Sequence, residues 1–431
     1  MLSSSSITMK TGPCLRFLLL WGILLVNILP TIAQQIHVTS PTIRSVQIFT
    51  GGEKRNVPCI SLNGPNRLEV TFDDLTKEYR RFVYTVEHCN FQWEKNNRLF
   101  ESDYLKGNLR RIPIEDYQES TNTSVEYTTY FMEFPTNQLD ITISGNYRIR
   151  IYNDETKEEA LSFCFSVIDE KIPVNVTATT NTEIDWNTCH QQLKISVPTN
   201  GITMFDTRKE IRIVVVQNGR WDKAVWNPTP DYITPTGVKW EHSKDLIFDA
   251  GNEFRKFEMT STKIAMMGVE NIKWFRPFYH ATLYPNNVRK NYLYDEEQNG
   301  QYYTRTTDSG YDEDKGDYIW VHFLLKTEKA SQKDMYVFGS LTNWAILPEA
   351  KLKYLPDCQM YEATMLLKEG YYNYLFACAD NDSGQIDTHT LEGNFYQTEN
   401  EYTILVYYTP RGGRYDQLIG YRNFKFHPDR Q

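Results

Sequence analysis

Apolar residues recur at every second position along most of this chain, in runs too short for helices. Leu68, Val70 and Phe72 share one face of such a run. So do Phe82, Tyr84 and Val86, then Tyr147, Ile149 and Ile151, then Leu161, Phe163, Phe165 and Val167. Successive side chains of a strand point to opposite faces, so this alternation buries one face of a pleated sheet. Helical spacing is not sustained over eleven residues anywhere, although a short helix is expected between 260 and 268. Turn signals such as Asn63-Gly64-Pro65-Asn66 and Ser144-Gly145-Asn146 separate the runs. An aromatic content of 14% suits pleated surfaces. The expected class is all-β: tandem immunoglobulin-like or fibronectin-like β-sandwiches, three in number.

The expected organisation starts with residues 1–33 as a signal peptide. Lys10 and Arg16 precede an apolar run from Phe17 to Leu29, and Thr31-Ile32-Ala33 supplies small residues for cleavage after Ala33. That run is short for a membrane span; an uncleaved anchor is the other reading. The mature chain is expected to be exported and soluble. A first sandwich is expected over 34–170, a second over 171–294 and a third over 318–431. Residues 295–317 are rich in Asp, Glu, Asn, Gly and Tyr and read as an acidic linker or exposed loop. Asp308, Asp312, Asp314 and Asp317 lack the calcium-loop spacing of an EF-hand.

Charge and motifs narrow the function. The net charge is −9, and −11 without residues 1–33, which hold two basic and no acidic groups. Nucleic acid and anionic membrane surfaces are therefore poor partners. No His-Glu-x-x-His, Gly-x-Ser-x-Gly or phosphate-cradling Gly-x-x-x-x-Gly-Lys occurs, so no enzyme, cofactor or metal is expected. Six cysteines remain after residue 33. Cys358 and Cys378 flank an expected hairpin and are the favoured disulfide; reduced, partly buried thiols are the alternative.

Two dense clusters stand in the middle of the chain. Ile211, Ile213 and Val215 form an alternating strand that ends in Gln217-Asn218-Gly219-Arg220-Trp221-Asp222. Asn-Gly favours a tight turn with positive φ. Arg220 has two readings: it stacks on a ring and pairs with a carboxylate, fixing a turn between domains, or it joins Trp221 as an exposed anchor for a protein partner. Ala250-Gly251-Asn252-Glu253-Phe254-Arg255 follows, and His190-Gln191 precedes both. The candidate partner-binding residues are His190, Gln191, Asn218, Arg220, Trp221, Asp222, Asn252, Glu253 and Arg255.

Gly339-Ser340-Leu341-Thr342-Asn343-Trp344 resembles the Gly-x-Phe-x-x-Trp segment of glycogen-binding modules of the AMP-activated kinase and starch-enzyme type. The resemblance implies an early-set immunoglobulin-like sandwich over 318–431 more than sugar binding; Trp344 is the candidate glycan-stacking residue, with a core position as its other reading.

His190-Gln191, Gln217 to Asp222 and Ala250 to Arg255 together resemble the type IX secretion system plug protein family of the Bacteroidota. The match also includes Tyr84 with His88-Cys89-Asn90 and Trp93, Asp116-Tyr117, Tyr127-Thr128, Phe134-Pro135 and Ser144-Gly145-Asn146-Tyr147. It spans roughly Ile43 to Tyr421. The resemblance implies a non-enzymatic periplasmic protein that docks to the large outer-membrane translocon barrel and occludes its periplasmic opening. The alternative function is an exported glycan-binding protein that uses the C-terminal sandwich.

Overall fold

The computed structural model describes residues 36–76, 78–199, 201–202, 204–308, 315–327, 333–380 and 385–428. The signal peptide expectation, Asp312 and Asp314 lie outside the described residues. Short strands dominate, as the two-residue period dictates, and they form mainly antiparallel sheets, with Phe278–Leu283 parallel to Tyr318–Lys326, that enclose three hydrophobic cores. The fold is all-β. The segment 260–268 is a turn-rich loop, not the short helix expected there, and no described helix is long and apolar enough to cross a membrane.

The first core lies between two sheets. One has the order Ile36–Val38, Glu159–Ile168, Gly145–Asn153, Phe82–Cys89, Ile112–Ile114, and the other Ile43–Thr50, Leu68–Asp74, Thr128–Phe134, Asp116–Glu119. Stacked and edge-on rings of Phe72, Phe82 and Tyr130 fill it.

Beyond residue 170 the strand pairing differs from the expected division. Ile211–Gln217 lies between Val225–Trp226 and Asn400–Tyr408, and Asn400–Tyr408 in turn pairs with Gln417–Phe426. The second sandwich is therefore completed by the last strands of the chain. The third is inserted between its halves. Arg255–Met259, Val269–Phe275 and Phe278–Leu283 belong to the third core, although they lie before residue 294. The expected boundaries at 171–294 and 318–431 do not coincide with this pairing. A strand pairs wherever its apolar face finds cover, and the cover for Ile213 and Val215 is Tyr402, Ile404 and Val406 from nearly two hundred residues away.

The stretch 295–317 is not a free linker. Tyr302–Thr304 pairs with Gly370–Ala379 in the third sandwich. Asp317 is buried: its carboxylate accepts hydrogen bonds from the Ser124 amide (2.9 Å) and hydroxyl (2.8 Å) in the first sandwich. Asp308 accepts from Ser261 and Thr262. Nearby, Asp73 of the first sandwich is buried against the third, where it accepts from the Tyr318 hydroxyl (2.7 Å) and the Lys368 ammonium (2.8 Å). A buried charge needs such partners.

The expected Cys358–Cys378 disulfide is absent, and all six described cysteines are free thiols. Cys358 is exposed in the turn between Lys353–Leu355 and Met360–Lys368. Cys378 is buried in Gly370–Ala379, a strand of the opposite sheet, so the two side chains never face one another.

The chain leaves the second sandwich and returns to it through two crossings that are locked by charge. Arg255, just after the outward crossing, directs its Nε to both oxygens of Glu392 (2.9 and 3.0 Å), which stands just before the return crossing. Arg289 faces the same carboxylate at 3.5 Å. Glu392 is fully buried, so removing it strands two guanidinium groups. Glu392→Ala is expected to cost about 3–5 kcal/mol; urea denaturation of the purified chain measures it.

Candidate functional site

The residues singled out in the sequence converge on the junction of the sandwiches. Asn218 and Gly219 adopt the positive φ angles of the expected turn (49° and 69°). A Cβ on Gly219 would come within 3.0 Å of the Asn56 carbonyl, so this position also needs glycine for space. The turned-in Asn218 side chain donates to the Asn400 side-chain oxygen (2.7 Å) and accepts from the Glu401 amide (2.8 Å). Gln191 is fully buried. It donates to the carbonyls of Tyr396 (2.9 Å) and Thr398 (2.7 Å), and accepts from Asn400 (3.0 Å) and the Tyr402 hydroxyl (2.8 Å). These bonds hold the return crossing, 393–399, and the first residues of the strand Asn400–Tyr408 that follows it.

Asn252 and Glu253 secure the outward crossing. Asn252 donates to the Glu392 carbonyl at 2.7 Å. Glu253 accepts from the Tyr292 hydroxyl (2.8 Å) and the Glu399 amide (3.1 Å) through one oxygen, while its other oxygen is buried without a hydrogen-bond partner. Burial pushes this carboxyl up to about 7, with the Glu399 charge adding to the effect. The half-buried Glu297 carboxyl beside it is likewise pushed up to about 8 by burial.

Arg220, Trp221 and Asp222 bring the three sandwiches together. Arg220 pairs with Asp222 (2.6 Å) and lies 5.1 Å over the Phe338 ring of the third sandwich. Trp221 is 6% exposed and packs edge-on against Trp93 of the first sandwich, with ring centroids 5.4 Å apart. It is therefore not the exposed anchor that one reading expected, because the first sandwich covers it.

His190 stands apart from this network. Its Nδ1 is 2.7 Å from Asp185 Oδ2 and its Nε2 is 3.4 Å from Asp249 Oδ1. Burial pushes the adjacent Cys189 thiol up to about 11, reinforced by Asp185.

Trp344 is half-buried, with its ring against Phe338 (5.4 Å) and Phe254 (6.0 Å). It borders a crevice of about 40 Å³ shared with Lys54 and Gln301. That space holds roughly one water, and the two ring contacts favour the core reading of Trp344. A wider cleft of about 830 Å³ opens on the first sandwich, where Glu69, Glu115, Asp116 and Glu133 lie on a solvated wall.

The exposed contact chemistry lies where sequence reasoning did not look. The hairpin of Val269–Phe275 and Phe278–Leu283 carries Lys273, Trp274, Phe275 and Arg276 at its tip; Trp274 is 48% and Phe275 59% exposed. Trp274 packs on Tyr279 (4.6 Å), and Phe275 meets His280 edge-on (5.4 Å). His280 Nδ1 is 2.9 Å from His322 Nε2, and His322 Nδ1 is 2.7 Å from Glu362. The two rings are thus packed on the strand below them, and two cations are exposed beside them. The juxtaposed Trp-Phe-Arg was its sequence signal.

The comparisons with known proteins decide the family. Residues 43–169 match the model of the first domain of type 9 secretion system plug proteins. The crystal structure of a hypothetical protein from Parabacteroides merdae is similar over 91% of this chain and 99% of that one, at 34% identity and a TM-score of 0.86. The chain belongs to the type IX secretion system plug protein family. The C-terminal domain of the BspA polypeptide of Streptococcus agalactiae aligns with 88% of this plug-family chain and 96% of its own at 7% identity, but its TM-score of 0.14 carries no argument. No curated protein matches.

Two measurements distinguish the junction from the surface. Trp221→Ala should cost about 3–5 kcal/mol of stability, whereas Trp274→Ala should change it by less than about 0.5 kcal/mol; chemical denaturation of both variants compares them. The raised Glu253 carboxyl makes a contribution to stability that is full below the ordinary value of 4.5 and lost as the pH rises through about 7. Glu253→Gln should therefore flatten the decline in melting temperature across that window.

Proposed function

We propose that this protein is a non-enzymatic plug. In this reading it docks to the outer-membrane translocon barrel of the type IX secretion system from the periplasmic side and occludes the opening while no substrate passes. Export would follow cleavage near Ala33. The observation that carries the reading is the family match over 43–169, joined to a 34%-identical relative along nearly the whole chain. The physics is compatible. Blocking an aperture asks for a body that does not yield, and the three cores here are tied by buried ion pairs and ring contacts.

The Lys273–Arg276 tip supplies the contact chemistry. Trp, Phe and Arg side chains that are rigid before binding lose little entropy on docking. Two cations on a chain of net charge −9 direct the tip toward an acidic or carbonyl-rich recess of the barrel.

Affinity isolation of the protein from detergent-solubilised membranes should recover a very large β-barrel in stoichiometric amount. Recovery of no outer-membrane protein at that yield rejects the proposal. Replacing Trp274 and Phe275 together by Ala should weaken the association by about 30-fold or more, equivalent to about 2 kcal/mol, with unchanged melting temperature.

A further inference from the structure

Outside the junction, one cluster combines three kinds of metal-ligating atom. Asp185 Oδ2, Cys189 Sγ and His190 Nδ1 lie within 4.8 Å of one another. Their separations are 2.7 Å from Asp185 to His190, 3.3 Å from His190 to Cys189 and 3.5 Å from Cys189 to Asp185. We propose that Asp185, Cys189 and His190 form a binding site for a thiophilic divalent transition metal, of which zinc is the fitting case.

The geometry supports three of four tetrahedral positions. Zinc bonds of about 2.0–2.3 Å place neighbouring donors about 3.3–3.6 Å apart. The Asp185–His190 separation opens by about 0.6 Å to reach this, and the two sulfur separations by less.

The local fold brings the donors together without strain on the sheet. Residues 180–187 close a tight loop in which the Thr182 amide donates to the Asp185 carbonyl, and the Asn187 amide to the Thr180 carbonyl, both at 2.9 Å. Thr182 Oγ1 donates to Asp185 Oδ1 at 2.7 Å, leaving Oδ2 turned toward the cluster. His190 opens the strand His190–Pro198 and stands directly opposite Asp249 of the neighbouring strand.

Asp249 completes the arrangement as an orienting group. With the imidazole proton on Nε2, facing Asp249 Oδ1 at 3.4 Å, Nδ1 presents its lone pair to the metal. The Asn394 side chain donates to that same Asp249 oxygen at 3.2 Å and holds it in place. Binding releases the Cys189 thiol proton, and the proton through which Nδ1 meets Asp185 leaves or moves to Nε2, so that the imidazole is bound neutral with its proton on Nε2. A divalent ion with one thiolate, one carboxylate and one neutral imidazole is electrically neutral, which suits a half-buried site. The fourth position takes water or a donor from a partner, and the exposed Ile184 and Trp186 flank Asp185 in sequence. Sulfur and nitrogen donors favour zinc over magnesium or calcium.

The test uses the purified, tag-free full chain with zinc chloride and, separately, cobalt chloride. Zinc is expected to slow alkylation of Cys189 about tenfold or more without protecting the exposed Cys358. This readout needs no variant and so does not depend on a mutant folding. Cobalt should give a thiolate charge-transfer band that Cys189→Ser abolishes and Cys358→Ser leaves. Asp249→Asn should weaken cobalt binding by about 10–100-fold, with circular dichroism confirming the fold. Unchanged Cys189 alkylation in excess zinc, or a cobalt band that survives Cys189→Ser, overturns the site.

Discussion

The strand Ile211–Gln217 is buried on both faces, and the architecture follows from that. Ile211, Ile213 and Val215 enter the core of the second sandwich. Val214 and Val216 point the other way, into a separate cluster with Cys89, Phe91, Trp93 and Cys164 of the first. The partner strand repeats the division, with Ile404 and Val406 inward and Leu405 and Tyr407 outward. A sheet with one solvated face would leave the first two sandwiches independent. Here they share a second hydrophobic interface, and neither face of this strand is exposed without a large loss of apolar burial.

That constraint explains why so many polar side chains gather nearby. A chain that leaves a sandwich and returns to finish it must run two crossings through a buried zone. Their backbone groups cannot reach water freely and need partners from side chains. Gln191, Asn218, Asn252 and Asn400 are those partners. The Arg255–Glu392–Arg289 group fixes where the crossings meet. The residues that give the sequence its family character therefore act mainly on the relative placement of the sandwiches, and the exposed Trp274–Arg276 tip offers contact.

Strand identity was legible because period-two burial is local: Tyr147, Ile149 and Ile151 face inward as their spacing demands. Strand partnership was not, because pairing Ile213 with Val406 leaves no trace in either neighbourhood. The uninterrupted run Ile213 to Val216 did carry a signal of two-sided burial, since alternation alone leaves every second residue polar. Acidic composition misled at Asp317, whose donors come from Ser124 in another sandwich. Trp221 and Trp274 sit in similar polar, aromatic surroundings in the sequence, yet only the fold shows that Trp93 covers the first while the second, packed on Tyr279, stays half exposed.

Native-state hydrogen exchange with peptide-level mass spectrometry tests the central claim most directly: that this strand, the two crossings and the buried Asp73–Lys368 pair make the three sandwiches unfold as one body. Amides of Ile211–Gln217, Asn400–Tyr408 and the strand Tyr318–Lys326 of the third sandwich should open with a single free energy equal to that of global unfolding. A third sandwich that opens at a distinctly lower free energy while Ile211–Gln217 stays protected would contradict it.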